Sequence, residues 1–128
     1  MKKISRRLLQ ISIAIGGIVP VGGGLGGIIM GTYIVTDNPA PDAIDSHFRY
    51  LSGLLLGIGL SFWYMIPTIE KQGARFQLLA LIVFIGGLGR LWSLWTLGTP
   101  APNMLFGLGM ELVVMPLLAF WQYAISKA

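Results

Sequence analysis

The 128-residue chain is patterned as long apolar blocks joined by short polar connections, not as the narrow stripes that would enclose a water-soluble core. A bilayer core about 30 Å thick takes roughly 20 apolar residues in helical form, and the need to pair every backbone polar group in lipid makes helix the structure such runs adopt. Four stretches meet this requirement: residues 8–35, 48–66, 76–98 and 103–125. The connector TDNPAPDAIDS holds two prolines and three aspartates, PTIEKQGAR is basic overall, and TPAPN has the composition of a tight turn. The pattern predicts an all-α integral membrane four-helix bundle, one domain over residues 1–128.

Composition agrees with a lipid solvent. Charged residues are 11% of the chain and hydrophobic ones 55%, whereas a soluble domain carries about a quarter charged residues. The absence of cysteine excludes a disulfide framework, thiol catalysis and thiolate metal ligation. The net charge of +4 is not laid out as a basic stripe interleaved with aromatics, so nucleic acid is not an expected partner. Most of the basic residues flank apolar runs instead. Lys2, Lys3, Arg6 and Arg7 precede the first span, Lys71 and Arg75 lie between the second and third, and Lys127 ends the chain. All seven would share one side, with only Arg49 at the opposite mouth, so the positive-inside rule predicts that both termini are cytoplasmic. Trp63, Tyr64, Trp121 and Tyr123 would form the inner aromatic belt, and Tyr33, Tyr50, Trp92 and Trp95 the outer one. The uncharged run of the first span is longer than the roughly 7–15 residues of a secretory h-region and is not followed promptly by a small-x-small site, so it reads as an uncleaved signal-anchor.

Glycine is concentrated in the first span. The segment GGIVPVGGGLGGIIMG contains eight glycines and Pro20, and the pairs Gly22/Gly26, Gly23/Gly27 and Gly27/Gly31 have the spacing that lets helix backbones approach closely. A phosphate-cradling loop would need a preceding strand and a following lysine, and neither is present. Gly53, Gly57, Gly86 and Gly87 are read in the same way as packing sites, with Pro20 kinking the first span and Pro116 bending the fourth below Glu111.

Two charges fall inside apolar spans, where insertion costs about 2.5–3.5 kcal/mol each at the helix centre. Arg90 is eight residues before Gly98 and Glu111 eight residues after Asn103, so each lies about 12 Å below the outer end of its span. Antiparallel neighbours joined by TPAPN would bring them level, which predicts an Arg90–Glu111 ion pair. Asp45, His47 and Arg49 open the second span with Ser52 one turn deeper, and Asp45, Arg49 and Ser52 share a face. Ser93 follows Arg90 by three residues, Asn103 and Gly107 stack above Glu111, and Gly86 and Gly107 would leave room beside the two charges. These residues define a candidate polar cluster in the outer half, above an inner half of plain hydrocarbon packing with a basic rim.

Several roles fit this cluster. The pairs are structural clamps, or they line a pocket for a lipid or small amphipathic ligand, or Glu111 works as a general acid or base with His47 or Asp45 in an intramembrane isomerase or hydrolase. Metal binding by Asp42, Asp45 and His47 is the weakest fit, because a histidine near carboxylates is common at helix starts, where Asp42 or Asp45 would serve as N-cap. No cofactor is expected. The partners expected are the bilayer itself, an amphipathic ligand, and a membrane-protein partner or second copy.

The segments DSHFRYLSGLLLGIGLSFW, IPTIEKQ, GGLGRLWS and MELVVMPLLAFWQ resemble a bacterial family labelled domain of unknown function 4345. The resemblance covers nearly the whole chain. It rests on aspartate-x-histidine-x-arginine opening the second helix, a glycine-rich stretch ending in arginine in the third, and glutamate-leucine in the fourth, matched by Asp45, His47, Arg49, Arg90 and Glu111. It implies a four-helix inner-membrane protein and carries no activity with it. The leading expectation is therefore a non-enzymatic membrane module that binds a small amphipathic ligand or serves as an accessory subunit.

Overall fold

The computed structural model describes residues 2–38, 40–98 and 102–127. Helices α1 (Lys2–Gly16), α2 (Ile18–Met30), α3 (Asp42–Met65), α4 (Gly73–Leu97), α5 (Pro102–Gly109) and α6 (Met115–Lys127) follow one another, with 3-10 turns at Gly31–Ile34 and Ile66–Lys71 and a π-helical turn at Met110–Val114. No strand occurs among the described residues. Four helical segments are long and apolar enough to cross a membrane: Lys3–Ile34, Asp42–Lys71, Gly73–Leu97 and Leu105–Lys127. The expected TPAPN turn lies largely outside the described residues, as does the side chain of Asn103.

The chain forms two compact units. One is a helical hairpin over Gln10–Pro67, the other joins Met1–Leu9 to a hairpin over Thr68–Ala128.

In the first hairpin, α2 packs against α3 through bare backbone. A Cβ placed on Gly24 would stand 2.6 Å from the Leu56 nitrogen and 2.7 Å from the Ser52 carbonyl oxygen, and one on Gly27 would overlap the Ser52 hydroxyl. Only glycine permits this approach. The contact ridge is therefore Gly24–Gly27–Gly31: of the expected pairs, Gly27/Gly31 lies on it, whereas a Cβ at Gly22 meets nothing within 4 Å and one at Gly23 meets only the Leu55 side chain, at 4.0 Å. The expected break in the first span appears at Gly17, three residues before Pro20. Proline has no N–H for the Gly16 carbonyl and its ring crowds that oxygen. The bonds Gly17 N–H to Ile13 O (2.8 Å) and Val21 N–H to Gly17 O (3.1 Å) carry the span across the gap. At the open end of this hairpin, the Gln10 side-chain amide donates to the Ile66 carbonyl (2.7 Å) and the Trp63 indole to Ala14 (3.2 Å).

In the second unit, α4 packs along α6 and the π-helical turn. Leu9, Ile69 and Phe76 are fully enclosed, and so is Gln122. Here the expectation of plain hydrocarbon packing at the end carrying the termini is wrong. The Gln122 amide donates to the Ile69 carbonyl (2.9 Å), while Gln77 donates to both the Ala119 carbonyl (2.8 Å) and Gln122 Oε1 (3.3 Å). The first turns of α1 are fastened to this end by Arg6 Nε on Glu70 (2.7 Å) and by the Trp121 indole on the Ser5 hydroxyl (2.9 Å). A search for charges within apolar runs passes over glutamine. The interruptions LLQIS, RFQLL and FWQYA are the signal that would have found these residues.

Candidate functional site

The first group of candidate residues gathers at the closed end of the first hairpin. Helix α2 ends because Gly31 takes φ +61°, a backbone conformation costly for any residue with a Cβ. In a continuing helix the Thr32 N–H would bond to the Ile28 carbonyl. The turn at Gly31 separates that donor from that acceptor, and α3 supplies a substitute for each. Asp45 Oδ1 accepts the Thr32 N–H (3.0 Å) and its hydroxyl (3.4 Å), while Arg49 Nη1 donates to the carbonyls of Ile28 (2.6 Å) and Ile29 (3.2 Å). Arg49 Nε closes the arrangement on Asp45 Oδ2 at 2.8 Å. A cation on the last carbonyls of a helix also complements its macrodipole. A side chain at Gly31 would collide with the Asp45 carboxylate and the Arg49 guanidinium, so this glycine is required for space as well as for conformation.

Asp45 thus holds the Thr32 N–H in the 3-10 turn that follows α2, while Arg49 caps the α2 carbonyls, and Asp45 does not cap the start of its own helix. This corrects the expected N-cap role: the residue at the start of α3 is Pro41, with no side-chain cap, and Asp42 is already helical. Ser52 is buried beneath Gly27 on the same face of α3. His47, two residues from both Asp45 and Arg49, projects elsewhere. It is exposed and, with Ala43, Ile44, Phe48 and Leu51, lines a shallow apolar depression, its ring 6.4 Å from that of Tyr50.

The second group lies in the other unit, and the expected ion pair forms there. Arg90 donates to Glu111 Oε1 through Nε (3.0 Å) and Nη2 (2.9 Å). The Glu111 side chain is 18% exposed and that of Arg90 36%, so the pair is sheltered without being enclosed. Glycine again makes the approach possible, although the position is Gly87 and not Gly86. A Cβ on Gly87 would stand 2.8 Å from that of Glu111, whereas one on Gly86 meets nothing within 4 Å. A Cβ on Gly107 would come to 3.5 Å from the Arg90 guanidinium carbon and 3.6 Å from Glu111 Oε1. Ser93 is exposed one turn further along α4.

Glu111 sits in the π-helical turn, which precedes Pro116. Because Pro116 has no N–H for the Leu112 carbonyl, the helix absorbs an extra residue, and the Met115 N–H reaches back to Met110 O. The expected bend at Pro116 therefore takes the form of a widened turn that carries Glu111. Among the described residues no three of His, Asp and Glu gather as metal ligands.

No curated protein and no solved structure matches the chain. A family model described as Domain of unknown function (DUF4345) matches residues 8–122, which include Asp45, His47, Arg49, Arg90 and Glu111. The match spans nearly the whole chain, so this four-span helical protein belongs to the DUF4345 family.

Proposed function

We propose that the chain is a multi-pass protein of a bacterial inner membrane, with both termini in the cytoplasm, that binds a lipid or another small amphipathic ligand without transforming it. The single observation that supports this reading is the partial exposure of the Arg90–Glu111 pair inside an otherwise apolar span. Charge within hydrocarbon is tolerated where it is paired and covered by polar groups. This pair is matched in charge, yet more than a third of the Arg90 side chain is uncovered. A ligand with a polar head and an apolar tail suits both the partly exposed ion pair and the apolar surface around it, and Gly107 keeps that surface low.

An intramembrane isomerase or hydrolase using Glu111 with His47 or Asp45 has weaker support. Both Asp45 oxygens are engaged by Thr32 and Arg49, and His47 lines an apolar depression. Native mass spectrometry of the gently extracted protein tests the reading. The expected spectrum contains the chain with a retained lipid or small amphipath, and the double variant Arg90→Gln/Glu111→Gln retains one such molecule fewer. A stoichiometric protein partner with no small-molecule adduct would favour an accessory subunit, and an adduct unchanged in the double variant would move the site away from the pair.

A further inference from the structure

The charges divide unequally between the two units. The unit containing Met1–Leu9 and Thr68–Ala128 holds eight of the nine lysines and arginines but only two of the five acids. Apart from Arg90 and Glu111, these charges lie at the end that carries the termini: Lys2, Lys3, Arg6, Arg7, Lys71, Arg75 and Lys127 against Glu70 alone. Glu70 is held by Arg6 at 2.7 Å, and that contact joins the start of α1 to the 3-10 turn bearing Lys71. Lys3, Arg7, Lys71 and Arg75 are all exposed. On α1, Lys3 and Arg7 are one turn apart, and so are their immediate neighbours Ile4 and Leu8, which are 64% and 50% exposed. An exposed cationic row therefore runs beside an exposed apolar row on the same two turns.

We infer that this end of the protein is a binding surface for anionic phospholipid, with Lys3, Arg7, Lys71 and Arg75 taking the phosphate headgroup and Ile4 and Leu8 the upper part of an acyl chain. Orientation alone requires only that positive charge stay on one side. It does not require a helix start that presents cations and aliphatic side chains side by side. Each juxtamembrane cation contributes about 1 kcal/mol toward an anionic leaflet, about fivefold in affinity. The surface is remote in sequence from Arg90 and Glu111 and does not depend on the ligand reading above.

The test is native mass spectrometry of the full chain in micelles doped with equal amounts of phosphatidylglycerol and phosphatidylcholine, whose acyl chains are matched. The wild type is expected to retain phosphatidylglycerol in at least roughly tenfold preference, which declines as ammonium acetate is raised. Lys3→Gln/Arg7→Gln and Lys71→Gln/Arg75→Gln are each expected to lower that preference by tenfold or more, while Arg7→Lys and Arg75→Lys keep it. Equal retention of the two lipids by the wild type overturns the inference, and that outcome needs no variant. Displacement of phosphatidylglycerol by millimolar inorganic phosphate would overturn it too, because the surface would then be a phosphate site without a lipid chain.

Discussion

Asp45 and Arg49, one turn apart on α3, take up the two halves of a hydrogen bond that α2 gives up at Gly31. The carboxylate holds the Thr32 N–H at 3.0 Å and the guanidinium holds the Ile28 carbonyl at 2.6 Å. Removing Asp45 leaves the N–H of the buried Thr32 without its acceptor, and removing Arg49 takes a donor from the Ile28 carbonyl. Asp45→Ala is therefore expected to lower the thermal midpoint in detergent, read by tryptophan fluorescence. Asp45→Asn keeps an acceptor for Thr32 and should lose less. Equal losses for the two would mean that the charge, not the accepted N–H, is what counts.

The glycines of α2 should separate sharply by position. Gly31→Ala and Gly24→Ala are both expected to destabilise the protein, the first through backbone strain and collision with Asp45, the second by wedging α2 from α3. Gly22→Ala, with nothing within 4 Å of its Cβ, should be neutral or stabilising by about 0.5–1 kcal/mol. Comparable losses at Gly22 and Gly24 would contradict the register seen here.

Arg90 and Glu111 can be tested by exchange. Arg90→Leu takes the guanidinium from Glu111 and Glu111→Leu the carboxylate from Arg90, and each is expected to reduce the amount of inserted protein, since a charge costs about 2.5–3.5 kcal/mol near the helix centre. The double variant Arg90→Glu/Glu111→Arg should recover much of that loss in a membrane-fraction immunoblot. A double variant as poorly inserted as the singles would show that each residue answers to other partners.

Gln122 is fully buried with its amide on the Ile69 carbonyl and its oxygen receiving Gln77. Gln122→Leu keeps the volume but takes the donor from the Ile69 carbonyl, while Gln77 keeps its bond to Ala119, and is expected to cost about 1–3 kcal/mol. Both single variants lose the shared Gln77–Gln122 bond, so Gln77→Leu/Gln122→Leu, which loses it once, should cost less than the two single losses combined. Strictly additive losses would show that the two glutamines act separately.

Topology is open to a direct assay. Reporter fusions after Asn38 and after Gln72 are expected to report the outer side and the cytoplasm respectively, as the lysine and arginine asymmetry predicts. A cytoplasmic signal at Asn38 would reverse the orientation.

Much of this architecture was legible from hydropathy. The number of spans and the level of Arg90 with Glu111 follow from run length and a fixed rise per residue, and both are local, one-dimensional properties. The glycine register was only partly legible: four-residue spacing offers Gly22/Gly26, Gly23/Gly27 and Gly27/Gly31 alike and passes over Gly24, and the choice falls to whichever face meets Ser52 and Leu56. The capping role of Asp45 was misassigned for a related reason. Its position near the start of α3 suggested service to its own helix, while the orphaned N–H that it satisfies lies 13 residues earlier on another. The glutamine network escaped notice because an amide adds no charge to a hydropathy profile.

By itself, then, the sequence determined the helical class, the four apolar segments, the uneven distribution of charge and the presence of two charges where lipid makes charge expensive. Tertiary structure alone decided which glycines touch a neighbouring backbone, which carbonyls receive Arg49, Gln77 and Gln122, and that Pro116 widens the helix at Glu111. The physical reason is that burial in a bilayer is set by runs of residues along the chain, whereas hydrogen-bond partners are set by which helix faces meet, and that requires two segments at once.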